Sequence, residues 1–329
     1  MTALHRLSLR PLRALRWFAA GAALAALALA SLFVGVVDIS LADLWSDTHA
    51  RSLVLESRLP RSLAALLAGA SLAVTGQIMQ ILARNRFVEP MSAGAGQSAA
   101  LGVLLAVLVF PASAIWAKMA LASVCALLGS AGLMWLIRAL PPTQPLLIPL
   151  VALVYGGMIG AAVTFVAYQG DLMQFLGIWL TGELSGVLRG RYELLWIAGV
   201  TAAVSWLVAD RLTLLSLGQE AATGLGLNVR RVTAAGLIVL SVATAVVVVT
   251  VGAIPFVGLV VPNLVARRMG DNLRGALPVA ACLGAGLVLA ADIAGRLIRH
   301  PFEIPVATMV GVIGALLFLI LLWWEPRHA

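Results

Sequence analysis

Charge is what this sequence has least of. Only 11% of its 329 residues are charged, and Lys118 is the sole lysine. A G-x-x-x-x-G-K phosphate loop therefore does not occur, and the chain cannot itself supply an ATP site of that kind. Histidine is scarce as well: His5, His49, His300 and His328 lie far apart, without metal-ligand spacing. The two cysteines, Cys125 and Cys282, sit inside apolar runs, so no disulfide framework is available and both read as small hydrophobes. No nucleophile stands near a base in a pattern that suggests catalysis. Gly94-Ala95-Gly96-Gln97-Ser98-Ala99 matches G-x-G-x-x-A formally, but it opens an apolar run instead of following a strand. Its glycines read as points of close helix approach. An enzyme, a metal site and a resident cofactor are all unexpected in this chain.

What remains is hydrophobic. Apolar residues make up 62% of the sequence, and the mean hydropathy is +1.03, far from the balance of a soluble domain. Isolated strands would leave backbone groups unpaired in lipid, so these values imply an all-α polytopic membrane protein. The net charge of +8 is accordingly no sign of nucleic-acid binding, because basic residues in such chains sit in connections and set orientation.

Ten crossings are expected, over residues 17–37, 58–83, 91–110, 114–139, 146–168, 192–209, 231–251, 255–269, 275–297 and 304–324. Ala28-Leu29-Ala30 imitates a signal-peptidase site, but the run continues past it, so an uncleaved first span is expected. Pro60 fits the first turn of the second span, and Ala65, Gly69 and Ala73 place small residues four apart for close helix contact. The fourth and fifth spans hinge on a Pro141-Pro142 turn. Residues 171–188 are too interrupted to cross and read as an interfacial helix. Between the sixth and seventh spans lies LGQEAATGLGLNV, 217–229. It is polar and glycine-punctuated, and it reads as a short helix to Thr223, a Gly224-Leu225-Gly226 break and a second short helical piece. A partner could push on such an elbow.

The basic residues set the orientation. Arg51, Arg58, Arg61, Lys118, Arg189, Arg191, Arg296 and Arg299 fall on one side, and the larger remainder, including Arg6, Arg10, Arg13, Arg16, Arg84, Arg86, Arg230, Arg231 and Arg327, on the other. Both termini and the elbow are thus expected in the cytoplasm. Arg58, Arg61, Arg296 and Arg299 run against this bias at span ends. Docking of an acidic soluble partner would explain them; headgroup contacts or a local Asp292–Arg296 pair at i,i+4 would do so equally.

At this point four blocks, in order, resemble the FecCD family of permease subunits, which serve ATP-binding cassette (ABC) importers of iron-siderophores, haem and cobalamin. They are Arg58-Leu59-Pro60-Arg61 with the following LAALLAGASLAVTGQIMQ, the elbow, VGAIPFVGLVVPN over 251–263, and ADIAGRLIRHPFEIPVATMVGVIGALLFLILL from Ala291. The resemblance implies one permease domain over 1–329 with ten helices, like the cobalamin-importer permease of a type II importer, paired with itself or with a related second permease. It implies ATPase coupling through Gln219, Glu220, Ala222, Gly224, Leu225 and Gly226. Docking of a periplasmic binding protein falls to Arg58, Arg61 and Arg296. ATP and Mg would be bound by a separate ATPase in the cytoplasm, and the chain would reside in the bacterial inner membrane. The family commonly has Glu at Gln219 and often His at Asn263. A wide pathway lined by small residues is expected from the fifth and tenth spans, with Met158, Gly160, Thr164, Thr308 and Met309 as candidates. Ordinary small-residue helix packing explains each of these equally well. A secondary transporter driven by an ion gradient is the competing class, but such proteins keep ionisable groups at mid-membrane, and Glu183, Asp292 and Glu303 lie near segment ends. Siderophore is the expected cargo, with cobalamin or haem as alternatives.

Overall fold

A computed structural model of the chain describes residues 19–37, 39–40, 42–140, 147–270 and 272–323, with the side chains of Ile178, Trp179 and Gln219 left aside. The Pro141-Pro142 turn, the arginines before residue 19 and Arg327 lie outside the described residues. Fifteen α-helices are labelled in chain order. The first five are α1 (Ala19–Phe33), α2 (Asp43–Ser46), α3 (Thr48–Leu53), α4 (Leu59–Leu82) and α5 (Ala95–Val109). Next come α6 (Ile115–Arg138), α7 (Leu147–Gln169), α8 (Met173–Leu180), α9 (Leu195–Leu207) and α10 (Ala209–Ser216). The last five are α11 (Gln219–Gly224), α12 (Val229–Val251), α13 (Val257–Met269), α14 (Leu273–Ile298) and α15 (Val306–Trp323).

Each of the ten apolar runs contains a helix, but among the described residues only six helices are long and apolar enough to cross a membrane. A seventh is added if α9 and α10, bent by 65° between Leu207 and Ala209, count as one. Helix α13 has 13 residues and α5 has 15, so at 1.5 Å per residue each spans roughly 20 Å of a ~30 Å hydrocarbon core. Both are largely buried in the protein. Their irregular flanks, 83–94 and 252–256, are therefore shielded from lipid, the condition under which such backbone is tolerated at membrane depth.

Helices α4 and α12 form the centre, α4 packing on α14, α12, α13 and α9. Glycine makes this possible. A methyl group added at Gly69 would lie 2.3 Å from the Gly284 carbonyl oxygen, and one at Gly76 would lie 2.1 Å from that of Gly258. Ala65 and Ala73 are fully buried, and Ala73 faces Gly284, so the small-residue row of α4 does serve contact with α14. Backbone cannot yield as a side chain can. Gly69→Ile should therefore cost more than the ~1–3 kcal/mol typical of overpacking, and a fluorescence size-exclusion melt should show little folded protein.

Prolines organise the rest. Pro60 stands in the first turn of α4, as expected, but α4 continues α3 and a π-helical turn at Val54–Arg58 as one 35-residue rod, Thr48–Leu82. Proline removes the bond to the carbonyl four residues back, which widens the rod locally and frees the Glu56 carbonyl, and Arg189 N–H donates to it at 3.0 Å. Pro278 in α14 likewise frees the Arg274 carbonyl, which accepts from Trp206 Nε1 at 3.0 Å. Pro262 in α13 frees that of Gly258, with Gln80 Nε2 3.4 Å away. Three carbonyls that sequence periodicity leaves orphaned thus become ties between separate elements.

Candidate functional site

The chain presents two candidate sites at opposite ends of α4, plus an outward face. At the first end, Arg61 from the opening turn of α4 reaches two acids. Its Nη2 lies 2.7 Å from Asp292 of α14, and its Nη1 lies 2.8 Å from Glu303, which precedes α15. Arg296, one turn beyond Asp292, holds the other oxygen of that carboxylate at 2.8 Å. Arg296 also donates through Nη1 to the Ser31 and Val34 carbonyls at 3.0 and 2.6 Å, and through Nη2 to Ser31 Oγ at 2.6 Å. Arg58 Nη1 donates to the Leu32 carbonyl at 2.9 Å and its Nη2 to that of Val37. Two guanidiniums therefore cap the carbonyls around the end of α1, where cations are favoured by the helix dipole. The other contacts staple α4 to α14 and to the start of α15.

Docking of a binding protein was expected at Arg58, Arg61 and Arg296, and the structure finds all three largely buried. Arg58 is 6% exposed, Arg296 5% and Asp292 2%, while Arg61, at 12%, has Glu303 as its solvent-facing partner. The i,i+4 pairing of Asp292 with Arg296 does form. The reason is local supply: the end of α1 offers carbonyls and two acids stand within reach, so these guanidiniums find hydrogen-bond partners inside the fold. Exposed at the same end are Arg189 and Glu56, which with His49, Ser52 and Ser57 line an open basin of about 640 Å³. Arg51, Arg191 and Arg299 are exposed as well.

At the opposite end is the elbow, and its geometry follows from two glycines and an asparagine. Gly218 (φ +109°) turns the chain out of α10, and α11 follows at once. Just past the end of α11 stands Gly226 (φ +81°): Leu227 N–H bonds the Ala222 carbonyl and Gly226 N–H that of Thr223, both at 2.9 Å. This is the left-handed termination that glycine favours. Asn228 then caps α12, its side chain accepting from Arg231 N–H at 3.0 Å. No second helical piece separates the break from α12, as had been expected; the extra short helix is α10, before the elbow. Ala222 is fully buried, whereas Glu220, Gly224, Leu225 and Gly226 face solvent. The Gln219 side chain lies outside the described residues. A cavity of about 290 Å³ separates Ser216, Leu217 and Gly218 from Arg84, Asn85, Arg86 and α13.

The expected pathway residues are not walled in by this chain. Helix α7 packs mainly on α5 and α15 mainly on α14 and α13. Met158, Thr164 and Thr308 face outward and Gly160 and Met309 are half-buried, on helices that also expose Leu153, Phe165, Leu316 and Leu319. A single copy thus leaves this surface to lipid or to a second subunit. Sequence reasoning also missed Glu89. It is 3% exposed and accepts from Phe256 N–H at 3.0 Å, ahead of α13. The available signal was a lone acid in the apolar stretch FVEPM.

The FecCD transport family model matches residues 23–324. The chain belongs to the FecCD family. Among its FecCD relatives, the petrobactin import system permease protein YclN of Bacillus subtilis is 41% identical over 304 residues, covering 92% of this chain and 96% of that one. The ferric-anguibactin transport system permease protein FatD of Vibrio anguillarum is 38% identical over 268 residues, covering 81% and 85%. A solved structure described as a metal-chelate type ABC transporter in an inward-facing conformation superposes with a TM-score of 0.78 at 26% identity, covering 93% of this FecCD chain and 98% of that one.

Proposed function

We propose that this chain is the membrane-spanning permease subunit of an ABC importer that brings an iron(III)-siderophore across the inner membrane. The observation that carries this reading is the 41% identity to a petrobactin permease along nearly the full length of both chains. Siderophore is preferred to cobalamin or haem because that relative and the anguibactin permease are both named for siderophores. In this reading the chain crosses the membrane ten times as a single permease domain, with both termini and the elbow in the cytoplasm and the arginine clasp at the periplasmic end. Energy comes from ATP and Mg on a separate ATPase, so this chain is not an enzyme. The exposed Glu220 and Leu225 meet the ATPase, while buried Ala222 and the left-handed Gly226 fix the segment that carries them; Gly224 is only the last residue of its helix, with no backbone demand of its own. The outward face of α7 and α15, with Met158, Gly160, Thr164, Thr308 and Met309, forms the pathway against a second permease copy or a related one.

The same reading places a periplasmic binding protein over the ends of α3, α4 and α14. Its acidic groups would meet exposed Arg189 first, or would compete with Glu303 for Arg61; Arg58 and Arg296 act from beneath by holding α1. The deciding experiment uses proteoliposomes containing the permease and ATPase, with the binding protein outside and radiolabelled ferric siderophore. Uptake should require ATP and survive a proton ionophore. Uptake that persists without the ATPase and collapses with the ion gradient would instead identify a secondary transporter.

A further inference from the structure

Residues 83–94 leave α4 beside the elbow cavity and return to α5, buried for much of their length. They are tied to α13 twice. Asn263 Nδ2 donates to the Arg86 carbonyl at 2.8 Å, and Phe256 N–H donates to Glu89 Oε1 at 3.0 Å. The second tie is the unusual one. Phe256 has φ +67°, a left-handed conformation that a bulky residue adopts only when its surroundings impose it. Glu89 Oε2 is buried with no hydrogen-bond partner of its own, beside Gly258. Burial pushes the Glu89 carboxyl up to about 7, while the Phe256 and Leu259 backbone at the start of α13 favours its charged form. Beyond Phe256 there is no slack: a methyl group at Gly314 of α15 would lie 2.5 Å from Phe256 Cβ. On its α4 side, the same turn of α13 rides on the Gly76–Gly258 contact, where no side chain interlocks. Glu89 thus links 83–94 to the start of α13, and Phe256 in turn abuts α15.

We propose that Glu89 is a positioning residue for transport, pinning the start of α13, and through Phe256 the pathway helix α15, to the segment that borders the elbow. This rests on the permease reading, so the test has two readouts. In proteoliposomes with ATPase and binding protein, substrate transported per ATP hydrolysed is measured alongside hydrogen exchange at residues 256–260. Leaving the Phe256 N–H without its acceptor is equivalent to about tenfold in an equilibrium. Glu89→Ala should accordingly lower the transport-to-ATP ratio roughly tenfold, with KM for the loaded binding protein unchanged and exchange at 256–260 raised. Glu89→Gln keeps an acceptor oxygen of the same reach and should stay within about threefold of the parent. An unchanged ratio in Glu89→Ala, or equal damage in Glu89→Gln, overturns the proposal. If Glu89→Ala does not insert, Glu89→Asp decides: it is one methylene too short to reach Phe256 and should uncouple, whereas parental coupling in Glu89→Asp sinks the idea. Absence of ATP-driven uptake in the parent complex would count against the permease reading alone, and exchange at 256–260 would still report whether Glu89 holds α13.

Discussion

Asp292→Ala should leave little folded protein. The substitution takes from Arg296 the carboxylate it pairs with and leaves Arg61 with Glu303 alone, in a region where Asp292 is 2% exposed and Arg296 5%. Removing one partner of a buried pair costs about 3–5 kcal/mol, because the remaining charge stays desolvated. Here Arg61 keeps Glu303, so the loss falls mainly on Arg296 and stays within that range. Arg296 also holds the Ser31 and Val34 carbonyls, so its displacement should release the end of α1 as well. Thermal unfolding in detergent, followed by size-exclusion fluorescence, should show the drop, and added salt should not change it, since buried pairs are screened weakly. Reversing Arg58 and Arg61 to Glu together should fail in the same way, by loss of folded protein and not by slower docking. Parental melting of Asp292→Ala would show that the clasp holds nothing.

The second large effect is expected at Gly226. Its φ of +81° is a genuine outlier for a β-branched residue, and left-handed backbone costs an L-residue roughly 1–2 kcal/mol. Nothing lies within 4 Å of a methyl group added there, so Gly226→Val should strain only the elbow. The bonds from Leu227 to Ala222 and from Gly226 to Thr223 should break and Glu220 and Leu225 should lose their fixed presentation. At matched membrane levels, uptake should fall roughly tenfold, the factor that 1.4 kcal/mol represents, while insertion and melting stay near parental. Gly224 is the internal control. It is the last residue of α11, without positive φ and with equally open surroundings, and alanine is favoured over glycine in helices by about 1 kcal/mol. Gly224→Ala should therefore transport normally. Equal loss in both variants would mean that the elbow recognises glycine by its size and not by its backbone.

These two sites differed in how far they could be read beforehand. The elbow was legible as a glycine-broken polar segment because the requirement for φ > 0 is local and glycine is its usual answer. The extra helix α10 was not, since the 65° bend that separates it from α9 carries no glycine or proline to announce it. The clasp was visible as arginines at span ends, but their burial was not. Orientation bias reports the side of a membrane and says nothing of depth below a surface. Arg61 meets an acid 231 residues away in the chain, and Glu89 meets a backbone amide 167 residues away.

By itself, then, the sequence determined the class of this protein. So much apolar surface with so few charges requires lipid around it, and lipid requires backbone bonds satisfied within helices. It also determined where helices could approach closely, because Ala65, Gly69 and Ala73 recur on one face of α4 at helical spacing. Only the tertiary structure decided which polar groups are partnered. The carbonyls freed by Pro60, Pro262 and Pro278, the guanidiniums of Arg58 and Arg61, and the carboxylate of Glu89 all have neighbours on other elements, and Arg296, besides its local pair with Asp292, reaches the end of α1. Periodicity tells which face of a helix is turned inward; what waits on the other side depends on which helices pack there, and that follows from the whole chain's burial and steric fit.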